Sequence, residues 1–245
     1  TFKAPQIEPW LATIARWRAE LPDDMPPEPA DEAGYVDANH FVRQLSGVLA
    51  NDEIIFVDTG GNLTWTCNNL LVKPGQRVLS AWNFTPMGYA IPAGIGGAAA
   101  APNRPITCII GDGGLQLCLG ELATVVRHKL PLKIVLFNNH SHGIQKQTLE
   151  TWLDGNYAGV DSASGLGLSD FPNVAKAMGL PVVNISRSSD ITRKLTEAYA
   201  MPGPVFCNIE INPNQKLYPV LKAGAPLENQ MPLMPAEQLA ALQQL

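Results

Sequence analysis

"GDGGLQLCLGELATVVRHKLPLKIVLFNN", Gly111 to Asn139, places two polar turns at the ends of one repeating unit. The first turn sets glycines around Asp112, and the second is the pair Asn138 and Asn139. Between them "LQLCLGELATVVRHK" carries Leu115, Leu119, Leu122 and Val126 on one helical face. "LKIVLF" is a short apolar run of strand type, and "PITCII" leads into the first turn. The unit is strand, turn, helix, strand, turn. A right-handed crossover places its two strands close together in one sheet. Both polar turns then lie beyond the carboxyl ends of strands, where open α/β sheets bind ligands.

The alternation continues outward. "DANHFVRQLSGVLA" predicts a helix behind an Asp37 cap. "EIIFVD" is a buried strand that breaks at "TGGN", and "RVLS" is a short strand. "MGYAIPAGIGGAAAA" predicts a small-residue helix suited to close packing against a sheet. Later come helix "FPNVAKAMG", strand "PVVNI", helix "SDITRKLTEAYA" with Ser189 as its cap, and strand "PVFCNIEI". Strands alternating with helices predict an α/β fold: a doubly wound, mainly parallel sheet with helices on both faces. "WLATIARWRAELP" reads as a short amphipathic helix and "PDDMPPEPADEAG" as a proline-rich linker. "LYPVLKAGAPLENQMPLMP" reads as an extended tail before a short helix. The expected organisation is residues 1–34 as the end of a preceding domain plus linker, 35–213 as the α/β domain, and 214–245 as the tail. A helix and linker directly after Thr1 suggest a piece of a longer polypeptide.

Composition narrows the function. The 245 residues are 46% apolar and carry a net charge of −5 without a basic cluster, which argues against a nucleic-acid surface. The glycine- and alanine-rich stretch is too short to span a membrane. Cys67, Cys108, Cys118 and Cys207 form no CxxC pair, and reduced thiols favour a cytoplasmic setting.

Asp112 and Asn139 bring a carboxylate and an amide oxygen to one rim. These are hard ligands that suit Mg²⁺ or Ca²⁺ rather than zinc. Gly111, Gly113 and Gly114 let backbone amides approach a diphosphate, and a helix starting near Leu115 turns its positive end towards it. The unit reads as a magnesium diphosphate cradle. His140 and His142 form an HxH pair, but no third zinc ligand is evident. "GIGGAA" (Gly94 to Ala99) fits a dinucleotide-binding pattern of a dehydrogenase, yet no strand leads into it and Pro92 stands just before.

GDG followed after 24 residues by NN resembles the fingerprint of thiamine-diphosphate-dependent enzymes. "DTGGNLTW" looks like the diphosphate-side loop of the acetolactate synthase branch. "PMGYAIPAGIGGA" is similar to that branch's GxMG-x-x-xPAAIGA stretch, and "NNHSHGIQKQ" to its NNxxxGMV-like loop. "WLATIARWR" resembles the end of the family's central domain. The resemblance covers nearly the whole chain but only the closing part of a complete member. It implies the thiamine diphosphate-binding fold, in its diphosphate domain.

The resemblance further implies roles for particular residues. Asp112, the Asn139 side chain and the Ser141 carbonyl ligate Mg²⁺. Thr59, Gly60, Gly61, Asn62, Gly113, Gly114, His142, Gly143 and Ile144 surround the diphosphate. Met87 props the cofactor in a bent conformation, and the Thr85 carbonyl accepts from its 4′-amino group. The implied reaction is decarboxylation of a 2-oxo acid, pyruvate above all, with transfer of the two-carbon unit to an acceptor. A keto-sugar acceptor, simple aldehyde release and a non-catalytic cofactor-binding subunit are the alternatives. The activating glutamate belongs to a pyrimidine-binding domain absent from this chain, in the same polypeptide or a partner, and a homodimer or homotetramer is implied. The chain departs from the family where Gly61 and Asn62 replace Gln-His, where Gly114 replaces a commoner serine, and where Gln145 replaces an apolar residue.

Overall fold

The computed structural model describes residues 7–21, 34–221, 224, 226–228 and 230–243. In chain order the elements begin with α1 (Glu8–Glu20), α2 (Ala38–Val48), β1 (Ile54–Val57), α3 (Gly61–Asn69), β2 (Arg77–Leu79) and α4 (Ala90–Ala100). There follow β3 (Ile106–Gly111), α5 (Asp112–Cys118), α6 (Glu121–Arg127), β4 (Leu132–Asn138), α7 (Gly143–Trp152) and α8 (Phe171–Ala177). The chain ends with β5 (Val182–Ile185), α9 (Ile191–Ala200), β6 (Val205–Glu210), β7 (Val220–Leu221), β8 (Gln230–Met231) and α10 (Ala236–Gln243). Contacts divide it into two units, Pro27–Leu217 and Thr1–Pro26 with Tyr218–Leu245. Among the described residues no helix is long and apolar enough to cross a membrane.

The larger unit is a six-stranded sheet in the order β2-β1-β3-β4-β6-β5. All its pairings are parallel. Strand side chains alternate between two apolar layers. Ile55, Val57, Ile109, Val135 and Phe137 join Phe41, Leu45 and Leu195 of α2 and α9 on one face. Ile54, Phe56, Ile110, Ile134 and Leu136 join Ile91, Leu115, Leu122 and Phe171 of α4, α5, α6 and α8 on the other. Burial on both faces is why β3 and β4 read as continuous apolar runs. The expected doubly wound sheet is therefore present.

Local chemistry explains the ends and contacts of several elements. Asp37 caps α2 by accepting from the His40 N–H at 2.8 Å. The small residues of α4 let its backbone lie close to the sheet, as expected. A Cβ at Gly94 would stand 2.2 Å from Cys108 Sγ, and one at Gly97 2.6 Å from the Phe56 ring.

Other elements differ from expectation. The helix after the glycine turn starts at Asp112, not near Leu115, and is divided into α5 and α6. Leu119 and Gly120 keep helical dihedrals, but Leu122 and Ala123 bond back three residues rather than four, a local tightening at a weak helix former. Ser189 is not a cap; it lies in a 3-10 turn, Ser188–Asp190, that precedes α9. Helices α3 and α7 escaped the periodicity reading. The inner face of α3 is Asn62, Trp65, Thr66 and Asn69, mostly polar, and α7 buries none of its residues.

The expected tail also starts later than residue 214. Gln215 accepts from the Ala38 N–H and donates to Asp37, and Leu217 exchanges two hydrogen bonds with Gln147. In the smaller unit β7 and β8 pair antiparallel where an extended tail was expected. The expected N-terminal helix is α1, which buries none of its residues. The greater part of the proline-rich linker, residues 22–33, lies outside the described residues.

The contact between α4 and β3 yields a stability prediction. Gly94→Ala should cost about 1–3 kcal/mol, the usual penalty for overpacking a filled core. Adding Cys108→Ala should recover part of that loss, because the atom in the way is Cys108 Sγ. Urea denaturation of the single and double variants checks both.

Candidate functional site

Chain order reverses between β1 and β3: after β1 the chain passes to β2 on one side, then to β3 on the other. Parallel α/β sheets bind ligands at such a switch point. Here β1 leads into α3, β3 into α5 and β4 into α7. The first turns of these helices line one cavity of about 240 Å³. Among the described residues no side chain caps α3, α5 or α7. The first N–H groups of a helix have no partner within it, so uncapped turns leave donors for a ligand.

Asp112 and Asn139 meet as the crossover requires. β3 and β4 are adjacent, with Gly111 opposite Phe137. Asp112 is 2% exposed. Its Oδ1 accepts from the Gly113 N–H at 2.7 Å and its Oδ2 from the Ser141 N–H at 3.3 Å. Burial pushes its carboxyl up to about 6, while the Gly113 and Ser141 N–H groups and nearby His140 pull it down.

The Asn139 carboxamide can sit two ways. With Nδ2 towards Asp112 Oδ2 (3.2 Å) and the Ser141 carbonyl (3.0 Å), and Oδ1 accepting from Ser141 Oγ (3.0 Å), its hydrogen bonds are met within the chain. Turned over, Nδ2 donates to Ser141 Oγ at 3.0 Å. Asn139 Oδ1, Asp112 Oδ2 and the Ser141 carbonyl then converge with no proton between them. Neighbouring oxygens around an octahedral Mg²⁺ lie about 2.9–3.0 Å apart, given metal–oxygen bonds of 2.0–2.1 Å. The second seating is thus one that a small hard dication stabilises. Among the described residues no three His, Cys, Asp or Glu side chains group as a metal site, so this donor set depends on an amide and a backbone carbonyl.

The two halves of "NN" do different work. Asn138 Nδ2 donates to Asn208 Oδ1 at 3.1 Å, and Asn208 Nδ2 donates to Glu210 Oε1 at 2.6 Å. Glu210 Oε2 meets His140 Nε2 at 2.8 Å. This row ties the turn bearing Asn139 and Ser141 to β6. His140 has the left-handed φ of +55°, and its ring is engaged by Glu210. The His142 ring stands by Gly113, where a Cβ would lie 2.5 Å from it. The HxH pair therefore does not converge on a zinc ion.

Every other residue expected at the cofactor lines the cavity, but Thr85 does not. Thr85 lies in an exposed loop, at φ +35°. Gln145, one of the departures from the family pattern, lines the cavity, and Trp65 and Phe137 do so without having been expected there. Trp65 and Phe137 sit on the inner faces of an overlooked helix and a buried strand, where they read simply as core. Asp58 was also overlooked, as the last letter of an apolar strand. It is fully buried beside Gly114, whose missing Cβ would stand 2.8 Å from its Oδ1. "GIGGAA" falls inside α4, away from any strand-to-helix turn, so it offers no dinucleotide loop.

Comparison with known proteins agrees with this geometry. The family described as thiamine pyrophosphate enzyme, C-terminal TPP binding domain, matches residues 58–209. The chain belongs to that family. It is 30% identical over 219 residues to the acetolactate synthase large subunit of Porphyra purpurea, covering 89% of this chain and 36% of that protein. Against the acetolactate synthase isozyme 1 large subunit of Escherichia coli K12 it is 28% identical over 223 residues, covering 90% of this chain and 38% of that protein. The mitochondrial acetolactate synthase catalytic subunit of Saccharomyces cerevisiae is 25% identical over 231 residues, with 93% of this chain and 33% of that protein covered. The chain thus spans only 33–38% of the length of these relatives.

Met87 stands on the cavity wall with 40% of its surface exposed. Met87→Ala should therefore cost less than about 1 kcal/mol of stability, where a buried methionine costs 2–5. Chemical denaturation measures this, and a loss above about 2 kcal/mol would make Met87 a core residue.

Proposed function

We propose that this chain supplies the diphosphate- and metal-binding half of a thiamine diphosphate- and Mg²⁺-dependent enzyme. The whole protein decarboxylates a 2-oxo acid, pyruvate first, and joins the two-carbon unit to an acceptor. The observation that carries the reading is three uncapped helix N-termini opening onto one cavity beside the oxygen group of Asp112, Asn139 and Ser141. The name shared by the relatives, acetolactate synthase, supports the choice of reaction.

Asp112 Oδ2, Asn139 Oδ1 and the Ser141 carbonyl hold Mg²⁺. Gly60, Gly61, Gly113 and Gly143 keep Cβ atoms out of the three first turns, so the N–H groups there that Asp112 does not take can reach phosphate oxygens. When bound, thiamine diphosphate supplies the electron sink that lets the carboxylate leave as carbon dioxide. Met87 lines the cavity, with its Cε beside Gly113. Among the lining residues the one carboxylate is Asp112, and the metal engages it. The acid that activates the pyrimidine therefore comes from outside these residues, from the same polypeptide or a partner copy in a homodimer or homotetramer. The four free cysteines accord with the reducing, cytoplasmic setting that this reading includes.

Two measurements on the natural protein test the proposal. Asp112→Ala should weaken Mg²⁺-dependent binding of thiamine diphosphate by more than the roughly 10–100-fold that loss of a supporting group costs. Unchanged affinity by titration calorimetry removes Asp112 from the metal shell. Product analysis with pyruvate then separates a second 2-oxo acid as acceptor from a keto sugar or free aldehyde.

Acid supplies a third measurement. The Asp112 carboxyl is pushed up to about 6, so below that pH Mg²⁺ has to displace a proton. Affinity should be level above about pH 7 and fall about tenfold per unit below pH 6. Calorimetry across that range checks the sign, and a flat profile contradicts it.

A further inference from the structure

Asp58 ends the run of β1 and is fully buried. Its hydrogen-bond partners are backbone N–H groups. Oδ1 accepts from Thr59 at 2.9 Å and Gly88 at 3.1 Å, and Oδ2 accepts from Ala90 at 2.9 Å. Its own carbonyl accepts from Asn62 Nδ2 at 2.8 Å. These partners belong to separate parts of the site. Thr59 opens the turn into α3, Gly88 follows Met87, and Ala90 begins α4. Helix α4 has no side-chain cap of its own turn, and Asp58 reaches it from across the fold.

The segment that carries Met87 lies against α5 at Met87 and Gly88 but has few hydrogen bonds to hold it. In residues 80–88, Phe84 is 92% exposed, and Trp82 and Thr85 take left-handed φ values of +40° and +35°. Phe84 bonds back to Ala81 within the loop. Among the described residues the one hydrogen bond that leaves the loop runs from the Gly88 N–H to Asp58. An ionised carboxylate has only acceptors, so it can serve all three N–H donors at once.

We propose that Asp58 is a positioning residue that fixes Met87 against the diphosphate cradle by holding Gly88 and Ala90 to the end of β1. The inference rests on the cofactor reading for its consequence, not for the tether itself. Asp58 works through the backbone and touches no ligand. The bare Gly114 makes room for its carboxylate beside the metal turn.

Hydrogen–deuterium exchange on the natural protein tests the tether without the cofactor. Asp58→Ala removes both carboxylate oxygens. Asp58→Asn keeps one, which can still serve Thr59 and Gly88. Exchange in residues 81–90 should rise roughly tenfold or more in Asp58→Ala and less in Asp58→Asn, with β3 and β4 unchanged. A rise spread over the whole sheet, or none in the loop, overturns the proposal. If Asp58→Ala does not fold, Gly88→Ala strains the other end of the same tether, at φ +83°, and must loosen the same loop. An unchanged loop there is equally fatal.

Kinetics of the Mg²⁺- and thiamine diphosphate-loaded protein give the second arm. Asp58→Ala should lower kcat while leaving cofactor affinity within about threefold, and adding Met87→Ala should cause little further loss, since both act on one contact. Fully additive losses overturn the positioning role. Failure of the wild-type protein to bind thiamine diphosphate refutes the cofactor reading, while the exchange result still decides the tether.

Discussion

Three helices begin at one cavity, and among the described residues the side chain that meets one of their first N–H groups is Asp112, at Gly113; much of this fold serves that arrangement. A helix start buried without a cap is costly, because each unpaired donor has left water with nothing in return. Two other helices have an aspartate in that place: Asp37 caps α2 and Asp170 caps α8. Among the described residues α3, α5 and α7 have no such cap. Each start includes glycines, Gly60 and Gly61, Gly111 and Gly113, and Gly143, which keep Cβ atoms out of the space the donors face. An anion with several oxygens is the natural complement to such a set.

The sheet makes this convergence possible. Parallel pairing carries all strand ends to one edge, and the reversal of order between β1 and β3 opens a crevice there. The adjacent pairing of β3 and β4 then sets a buried carboxylate against an amide and a carbonyl. Asp112 is buried, and its nearest cationic influence is the partly exposed His140. Asp58, also buried, has backbone donors instead of a cation. Both carboxylates are pushed up by burial, yet their surroundings differ. Asp58 is closed off by three N–H groups and serves the backbone. The Asp112 carboxylate, which accepts from the Gly113 and Ser141 N–H groups, stands at the cavity wall beside two further oxygens.

Legibility in the sequence followed the physical source of each signal. Strands β1, β3, β4, β5 and β6 and helices α2, α8 and α9 were readable because apolar burial imposes a pattern on the chain, and α4 because of its small residues. Helix α3 was not, because its buried face is Asn62, Trp65, Thr66 and Asn69, and α7 was not, because it buries nothing. Helix α7 is held by polar links instead: Gln147 with Leu217, Lys146 with Asp161, and Glu150 with Lys216. Such links leave no periodic trace. The glycine and asparagine turns were readable because their residue types are rare in that combination and their spacing matches one crossover.

The sequence by itself determined the α/β class, the place of the two polar turns at strand ends, and the kind of oxygen group they carry. Those properties follow from residue type and local spacing. Only the tertiary structure decided that Asn138 points into a row of hydrogen bonds while Asn139 faces Asp112, that Thr85 stands off the cavity, and that Asp58 reaches Gly88 and Ala90 some thirty residues away. Those outcomes depend on which strand lies beside which and on how closely α4 and α5 approach the sheet. Strand order and packing distance arise from the whole apolar core at once, and no short stretch of the chain encodes them.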